Sequence, residues 1–399
     1  MRKPLILLLA LIISLFLTGC WSRVELNDVA IVTATALDRA ENNKLQVSLQ
    51  ILKVKMTKGI SEKGGGGENA TLIVSEKGET IMEAYQVIQK KIPRMVIFSH
   101  NRVIVVGDQL ARAGLSPVLD FFSRHREARG NSYLLVTKGE GKEILKAPPN
   151  FEIFTAEEIR EEEKARYLDS VTFRDFVFRL LEKGIEPICT QLQIVPLSGQ
   201  KNDASDKKET GLAVVGAGIF HHDKLIGWMK RQDSEVLLWL KNRMKRSSMT
   251  VSMQNKDGST GKVSVQLSKA KTSIRPRIQG EKIQFDITMH MTGELFENTT
   301  KLSIKEIQNL NKIQQVLEQE VKKRVTSTVN KLKKQFKSDA VGFGTILHRK
   351  YKKEWNETYS KRWDQEFPKI EVTTDVQFKI NGTGRVNDST LWEEEQLEK

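Results

Sequence analysis

Ten apolar residues recur every three or four positions from Ile304 to Phe336: Ile304, Ile307, Leu310, Ile313, Leu317, Val321, Val325, Val329, Leu332 and Phe336. That is the period of a single helical face. At 1.5 Å rise per residue such a helix runs roughly 50 Å, so it must cross a whole sheet to bury its stripe. The sheet is legible on both sides of the helix. In Lys282 to Leu295, Ile283, Phe285, Ile287, Met289 and Met291 alternate with polar residues, and Ile370 to Ile380 reads as a closing strand. Val263 to Leu267 supplies another strand, and Ser303-Ile-Lys-Glu306 has the form of a capping box. The expectation is a long C-terminal helix across a mainly antiparallel sheet.

Between helix and closing strand stands a ladder spaced by four: Phe343, Leu347, Tyr351, Trp355, Tyr359, Trp363 and Phe367. On a helix of 3.6 residues per turn, a spacing of four drifts about 40° per step. Over six steps the stripe turns most of the way round. Either the helix breaks or part of the ladder is exposed to a partner, and core packing is expected for most members.

At 399 residues the chain is long for one hydrophobic core, and two or three domains are expected. Strands are predicted at Asp28 to Leu37 and at Leu45 to Val54, where Leu45, Val47, Leu49 and Ile51 alternate with polar residues. Strands and helices then alternate: strand Thr71 to Ser75, a helix through Ile81, Ala84, Tyr85, Ile88 and Ile92 stopped by Pro93, strand Arg102 to Val106, helix Gln109 to His125, and strand Ser132 to Thr137. Thr155-Ala-Glu-Glu158 resembles a capping box, and helix Phe173 to Lys183 closes at Gly184. Pro187 to Leu197 reads as a strand. The polar stretch Ser198 to Thr210 reads as a linker, followed by a hairpin, Leu212 to Phe220 and Leu225 to Met229, and a helix, Ser234 to Lys245. The fold class is mixed α+β, with about three sheet-centred domains. The divisions are a leader (1–19), an N-terminal α/β region (20–197, with a subdivision near 140–165), the linker (198–210), a C-terminal α+β region (211–385) and an acidic tail (386–399).

The compartment follows from the first twenty residues. Arg2 and Lys3 precede an apolar run from Leu5 to Leu17, too short to span a bilayer, and Leu17-Thr18-Gly19-Cys20 follows at once. This is the form of a lipobox, in which cleavage falls before a cysteine carrying a diacylglycerol thioether. Two acyl chains suffice for stable anchoring. Cys20 is therefore the expected lipidation site, with the mature chain on the outer face of a membrane. The formal net charge of +14 favours polyanionic surfaces without choosing among them. Residues 321–337 carry seven lysines or arginines and no acid. A solvated outer face is the default reading, and contact with anionic lipid the functional one.

Residues for catalysis are absent in pattern: there is no Gly-x-Ser-x-Gly, His-Glu-x-x-His, P-loop or dinucleotide fingerprint. The glycines Gly64 to Gly67 lack the Lys-Ser/Thr of a P-loop and read as a loop. Ser205-Asp-Lys-Lys208 matches Ser-x-x-Lys but lies in the linker without partner motifs. His221 and His222 beside Asp223 make a poor metal site as neighbours in a turn, and Cys189 reads as a small buried hydrophobe. No cofactor, metal, nucleic acid or enzymatic activity is expected.

Several segments together resemble the Ger(x)C family of spore germination lipoproteins, the C subunits of nutrient germinant receptors. The likeness begins at Gly19-Cys20-Trp21 with Glu25 to Asp28. It continues in Asn101 to Gly107, Pro117 to Phe122, Gly218 to Phe220, Lys224 to Trp228 and Leu237 to Lys241. It is most specific in Gly342-Phe343-Gly344, His348 to Tyr351, Trp355, Trp363 and Phe367-Pro368. Members often carry a proline directly after the Tyr351 position, where this chain has Lys352. The resemblance implies a complex with integral membrane A-type and B-type receptor subunits at the inner spore membrane, and a role in assembly or relay. A solute-binding lipoprotein of a transport system is the alternative, though the two halves show no evident repeat.

Overall fold

The computed structural model describes residues 25–53, 70–165, 168–197, 209–255 and 257–382. The leader with Cys20, the glycine run 64–67, Ser205 to Lys208 with most of the polar linker, and the acidic tail lie outside the described residues.

Thirteen strands are described: β1 (Val29–Arg39), β2 (Leu45–Leu52), β3 (Thr71–Gly78), β4 (Met95–Ile97), β5 (Val103–Gly107), β6 (Tyr133–Thr137), β7 (Ile188–Pro196), β8 (Thr210–His221), β9 (Lys224–Lys230), β10 (Ser247–Gln254), β11 (Thr260–Gln279), β12 (Lys282–Asn298) and β13 (Glu371–Gly382). Where about three sheet-centred units were expected, these strands form two sheets in an α+β fold. The first has the order β3-β2-β1-β5-β6-β7-β8-β9, with β4 beside β1. Its centre is parallel (β1, β5, β6, β7) and both edges are antiparallel hairpins. Hairpin β8–β9 follows the predicted linker in sequence, yet β8 pairs with β7 from Ile188↔Ile219 to Pro196↔Thr210. The first sheet thus takes up chain from both sides of the linker.

The uninterrupted burial of Val103 to Gly107 in β5 reflects helices on both faces. One face packs Ile81, Ala84, Ile88, Val118, Phe122 and Phe176 from three helices. The other packs Ile144, Leu145, Ala156 and Ile159. Thr155 does not cap its helix; its hydroxyl donates to the carbonyls of Leu145 and Ala147, and the Glu158 carboxylate accepts from the backbone of Asn150 and Phe151. The true capping box is Thr172 with Asp175, at the start of Phe173–Leu181.

The second sheet has the order β10-β11-β12-β13. Two of its three ladders are antiparallel, and β12 with β13 is parallel. A parallel pair needs a crossover, and the long helix Ile307–Asn330 is that connection, burying Ile313, Leu317, Val321, Val325 and Val329. It begins three residues later than the stripe. The helix starts beyond the expected box: its N-cap residue is Glu306, which makes no side-chain cap, and the Asn309 amide donates to the Ser303 carbonyl and the Glu306 carboxylate. The helix ends in a π-type turn, Lys331–Phe336, which keeps Leu332 and Phe336 inward. Lys337, at φ 51°, then reverses the chain.

The aromatic ladder is core, and the helix breaks to make it so. Backbone departures at Tyr351 (φ −121°, ψ 63°) and Arg362 (φ −125°, ψ 18°), with a π-type turn at Trp355–Tyr359 between them, reset the drift. Phe343, Leu347, Trp355, Tyr359, Trp363 and Phe367 are all buried. The break at Tyr351 forms with Lys352, not proline, behind it. One apolar cluster runs from the first sheet through Phe220 and Trp239 to Phe336 and Phe343 of the second.

Candidate functional site

The two sheets meet at a joint built from segments distant in sequence, 182–187 and 337–345, with the β8–β9 turn beside them. The Glu186 amide donates to the Asp339 carbonyl, and the Thr345 amide to the Gly184 carbonyl, both at 3.0 Å. The Ser338 hydroxyl reaches the Phe220 carbonyl at 2.7 Å. Backbones approach this closely only because glycines face each other. A Cβ on Gly344 would lie 2.6 Å from the Gly184 Cα and 2.7 Å from the Trp363 indole nitrogen. Gly184, at φ +82°, also needs the left-handed region that glycine adopts freely.

Asp339 holds the joint from within. Its carboxylate accepts from the amides of Gly342 (2.8 Å), Phe343 (3.0 Å) and Gly344 (2.8 Å) and from Trp363 Nε1 (3.0 Å). Burial pushes this carboxyl up to about 6, against the pull of those four donors. Gly342 is needed for its left-handed φ of 91°, and Gly344 for the close approach to Gly184; with Phe343 between them, all three amides turn onto one side chain.

A second charged node lies between the helices Phe173–Leu181 and Arg231–Leu240. Asp169 Oδ2 meets Arg179 Nη2 at 3.1 Å and Lys241 Nζ at 3.0 Å, and Oδ1 meets Arg243 Nη1 at 3.0 Å. Burial alone would raise the Asp169 carboxyl, but Lys241, Arg179 and Arg243 hold it well below the usual carboxylate range. Two further carboxyls are held inside the first sheet's layers. Asp38 accepts from the amides of Gly141 and Lys142, and Glu163 accepts from the Thr190 hydroxyl. Burial raises them to about 6 and about 7 respectively. Each of these groups is engaged by backbone or side chains of the fold.

The residues weighed from sequence separate here. Asp223 turns away from the histidines; its Oδ2 accepts from the Ser116 amide (2.9 Å) and hydroxyl (2.6 Å). Glu186 takes its place, with Oε1 3.4 Å from His221 Nδ1 and 3.7 Å from His222 Nδ1. Cys189 is fully buried, and burial pushes its thiol well above the ordinary value. On the basic helix, Lys331 pairs with Asp233, Arg324 with Glu320, and Lys333 with the Ile370 carbonyl, whereas Lys322, Lys323, Lys334 and Lys337 are exposed. An open groove of 920 Å³ lies between the helices Ile81–Lys91 and Ser116–Arg124, lined by Arg39, Asn43, Phe121, Arg124 and His125. It belongs to the first sheet alone. Asp169 and Glu186 carried no local sequence signal, because most of their partners lie far along the chain; Asp339 is met by the nearby amides of Gly342, Phe343 and Gly344, a local turn that periodicity alone does not reveal.

The chain is matched by family models for the spore germination protein N-terminal domain over residues 22–194 and for the spore germination B3/GerAC-like C-terminal domain over residues 215–384. The Bacillus subtilis (strain 168) protein YfkR is 31% identical over 375 residues, covering 92% of this chain and 94% of that protein. Spore germination protein KC of the same organism is 26% identical over 97% of each chain. The crystal structure of the GerBC protein superposes with a TM-score of 0.56 at 20% identity, covering 87% of this chain and 97% of that one, which establishes the shared fold. With both family domains present in order and nearly the whole chain aligned, this protein belongs to the GerAC-like family of spore germination proteins.

Proposed function

We propose that this chain is a lipid-anchored, non-enzymatic subunit of a spore germinant receptor. It is tethered through Cys20 to the outer face of the cell membrane, which becomes the inner membrane of the spore, and assembled with integral membrane A-type and B-type subunits. The observation that carries the reading is the register of the leader with the family domain: the lipobox cysteine stands two residues before the matched region begins at 22. No helix among the described residues is long and apolar enough to cross a membrane. Engagement of Asp38, Glu163, Asp169 and Asp339 within the fold supports action by contact rather than catalysis. The exposed lysines Lys322, Lys323, Lys334 and Lys337 supply a face for anionic lipid.

The test is nutrient-triggered germination of spores carrying Cys20→Ala beside a full deletion. Both should lose the response to a particular nutrient while non-nutrient germination survives. A deletion strain that germinates normally with every nutrient, in a background lacking other receptors, would overturn the reading. The solute-binding alternative predicts tight binding of amino acids or sugars by the isolated chain in calorimetry; the 920 Å³ groove within one sheet, rather than a cleft between two lobes, speaks against it.

A further inference from the structure

We propose that Glu186, His221 and His222 form a binding site for a transition-metal dication of the zinc type, placed beside the joint between the two sheets, where the metal ties the β8–β9 turn to segment 182–187. One ligand atom from each residue lies within 4.8 Å of the others, the one such three-residue group among the described residues. Around a tetrahedral ion with bonds of about 2.0–2.1 Å, neighbouring ligand atoms sit about 3.4 Å apart. Glu186 Oε1 stands 3.4 Å from His221 Nδ1 and 3.7 Å from His222 Nδ1. These are ligand-to-ligand separations. His221 Nδ1 is buried and makes no hydrogen bond, so the short separation to Glu186 does not satisfy it.

The groups behind the ligands are also in place. Glu186 Oε2 accepts the His222 amide at 2.6 Å, which fixes the carboxylate and aims Oε1 at both rings. Asp364 Oδ2 lies 3.8 Å from His221 Nε2, the ring nitrogen left over when Nδ1 binds metal; that is ion-pair range, and a small side-chain rotation would close it to a hydrogen bond. A carboxylate at that second nitrogen is the usual partner of a ligating histidine. His222 holds a left-handed backbone, φ 54°, and the two imidazoles lie 4.3 Å apart at 31°, presented on one side of the turn. Glu186 and His222 line a cavity of 190 Å³ together with Lys337 and Lys361, which leaves room for a water or small anion as fourth ligand.

The donor set decides the class of ion. Two imidazoles and one carboxylate suit zinc and its neighbours, whereas calcium and magnesium call for an oxygen shell, and nearby lysines penalise a weakly held hard cation. The site's position gives it a consequence. Glu186 is hydrogen-bonded to Asp339 through its backbone, and Asp364 adjoins Trp363, which donates to Asp339. A metal there ties the β8–β9 turn to segment 182–187, which is itself hydrogen-bonded to 337–345 through Glu186 and Asp339.

Full-length protein without a histidine tag, in detergent and stripped with EDTA, would be titrated with zinc chloride and separately with calcium chloride by calorimetry. One equivalent of zinc should bind saturably and raise the melting temperature, and calcium should do neither at the same concentrations. Glu186→Gln and His222→Gln should each weaken zinc at least about tenfold, and Asp364→Asn up to about tenfold through His221. His100→Gln, on an exposed histidine elsewhere, should leave binding unchanged. The His222 side chain is 67% exposed, so its replacement reads coordination rather than folding, which circular dichroism checks. Absence of saturable zinc binding, or binding that survives both Glu186→Gln and His222→Gln, would overturn the proposal.

Discussion

The indole nitrogen of Trp363 donates to the buried carboxylate of Asp339 at 3.0 Å, joining the end of the broken aromatic helix to the turn that opens it. Three backbone amides converge on the same carboxylate, so removing it is worse than removing any one donor. A buried donor left unpaired costs about 1–3 kcal/mol. Asp339→Ala should therefore cost about 3 kcal/mol or more, and Trp363→Phe about 1 kcal/mol. Urea unfolding of the two variants checks this; equal, small losses would mean the carboxylate is not the anchor.

Gly344 offers a test in which two effects oppose each other in sign. Within its helix, Phe343–Lys350, alanine is favoured over glycine by about 1 kcal/mol. The Cβ would nevertheless sit 2.6 Å from the Gly184 Cα, where backbone cannot yield easily. Overpacking of this kind costs about 1–3 kcal/mol, so Gly344→Ala should destabilise on balance. A thermal melt that shows stabilisation would mean the two segments separate readily.

Asp169→Asn should be among the most damaging single changes. It leaves Arg179 and Lys241, both nearly inaccessible, without a counter-charge. Breaking a buried ion pair from one side costs about 3–5 kcal/mol. Arg243→Ala, removing a partner that is 48% exposed, should cost about 1 kcal/mol or less. Denaturant midpoints for the two variants would separate these cases.

Glu163 sets an alkaline limb on stability. Burial raises its folded pKa from 4.5 to about 7, so the folded chain holds that proton more tightly than the unfolded chain. Stability from this group is complete below pH 4.5 and is lost as pH rises through about 7. Glu163→Gln, with no proton to lose, should gain on wild type by on the order of 1–3 kcal/mol between pH 5 and pH 8. An unchanged difference at the two pH values would show that Glu163 is already solvated in the folded protein.

Local period and chemistry were readable from sequence wherever the cause was local. The alternation in β12 and the stripe of Ile307–Asn330 dictate burial by geometry alone, and the structure buries both except at the helix start, where Ile307 is exposed and Leu310 half-buried. The ladder's spacing required either a break or an exposed stretch, since a helix of 3.6 residues per turn cannot keep steps of four on one face, and the structure takes the break. Capping was less readable: Ser303–Glu306 and Thr155–Glu158 have the right letters, yet other groups nearby engage the Thr155, Glu158 and Glu306 side chains.

What the tertiary structure alone decided is which distant segments share a boundary. The order of strands could not say that β8 and β9 complete the first sheet, because pairing depends on free edges rather than on local pattern. Nor could it say that Glu186, and not the adjacent Asp223, faces His221 and His222, for Asp223 is drawn off by Ser116 across the turn. Period-two and period-3.6 burial is written in neighbouring residues. The joint is not, since the contacts that bring segments 182–187 and 337–345 together are closed by chain far away in sequence.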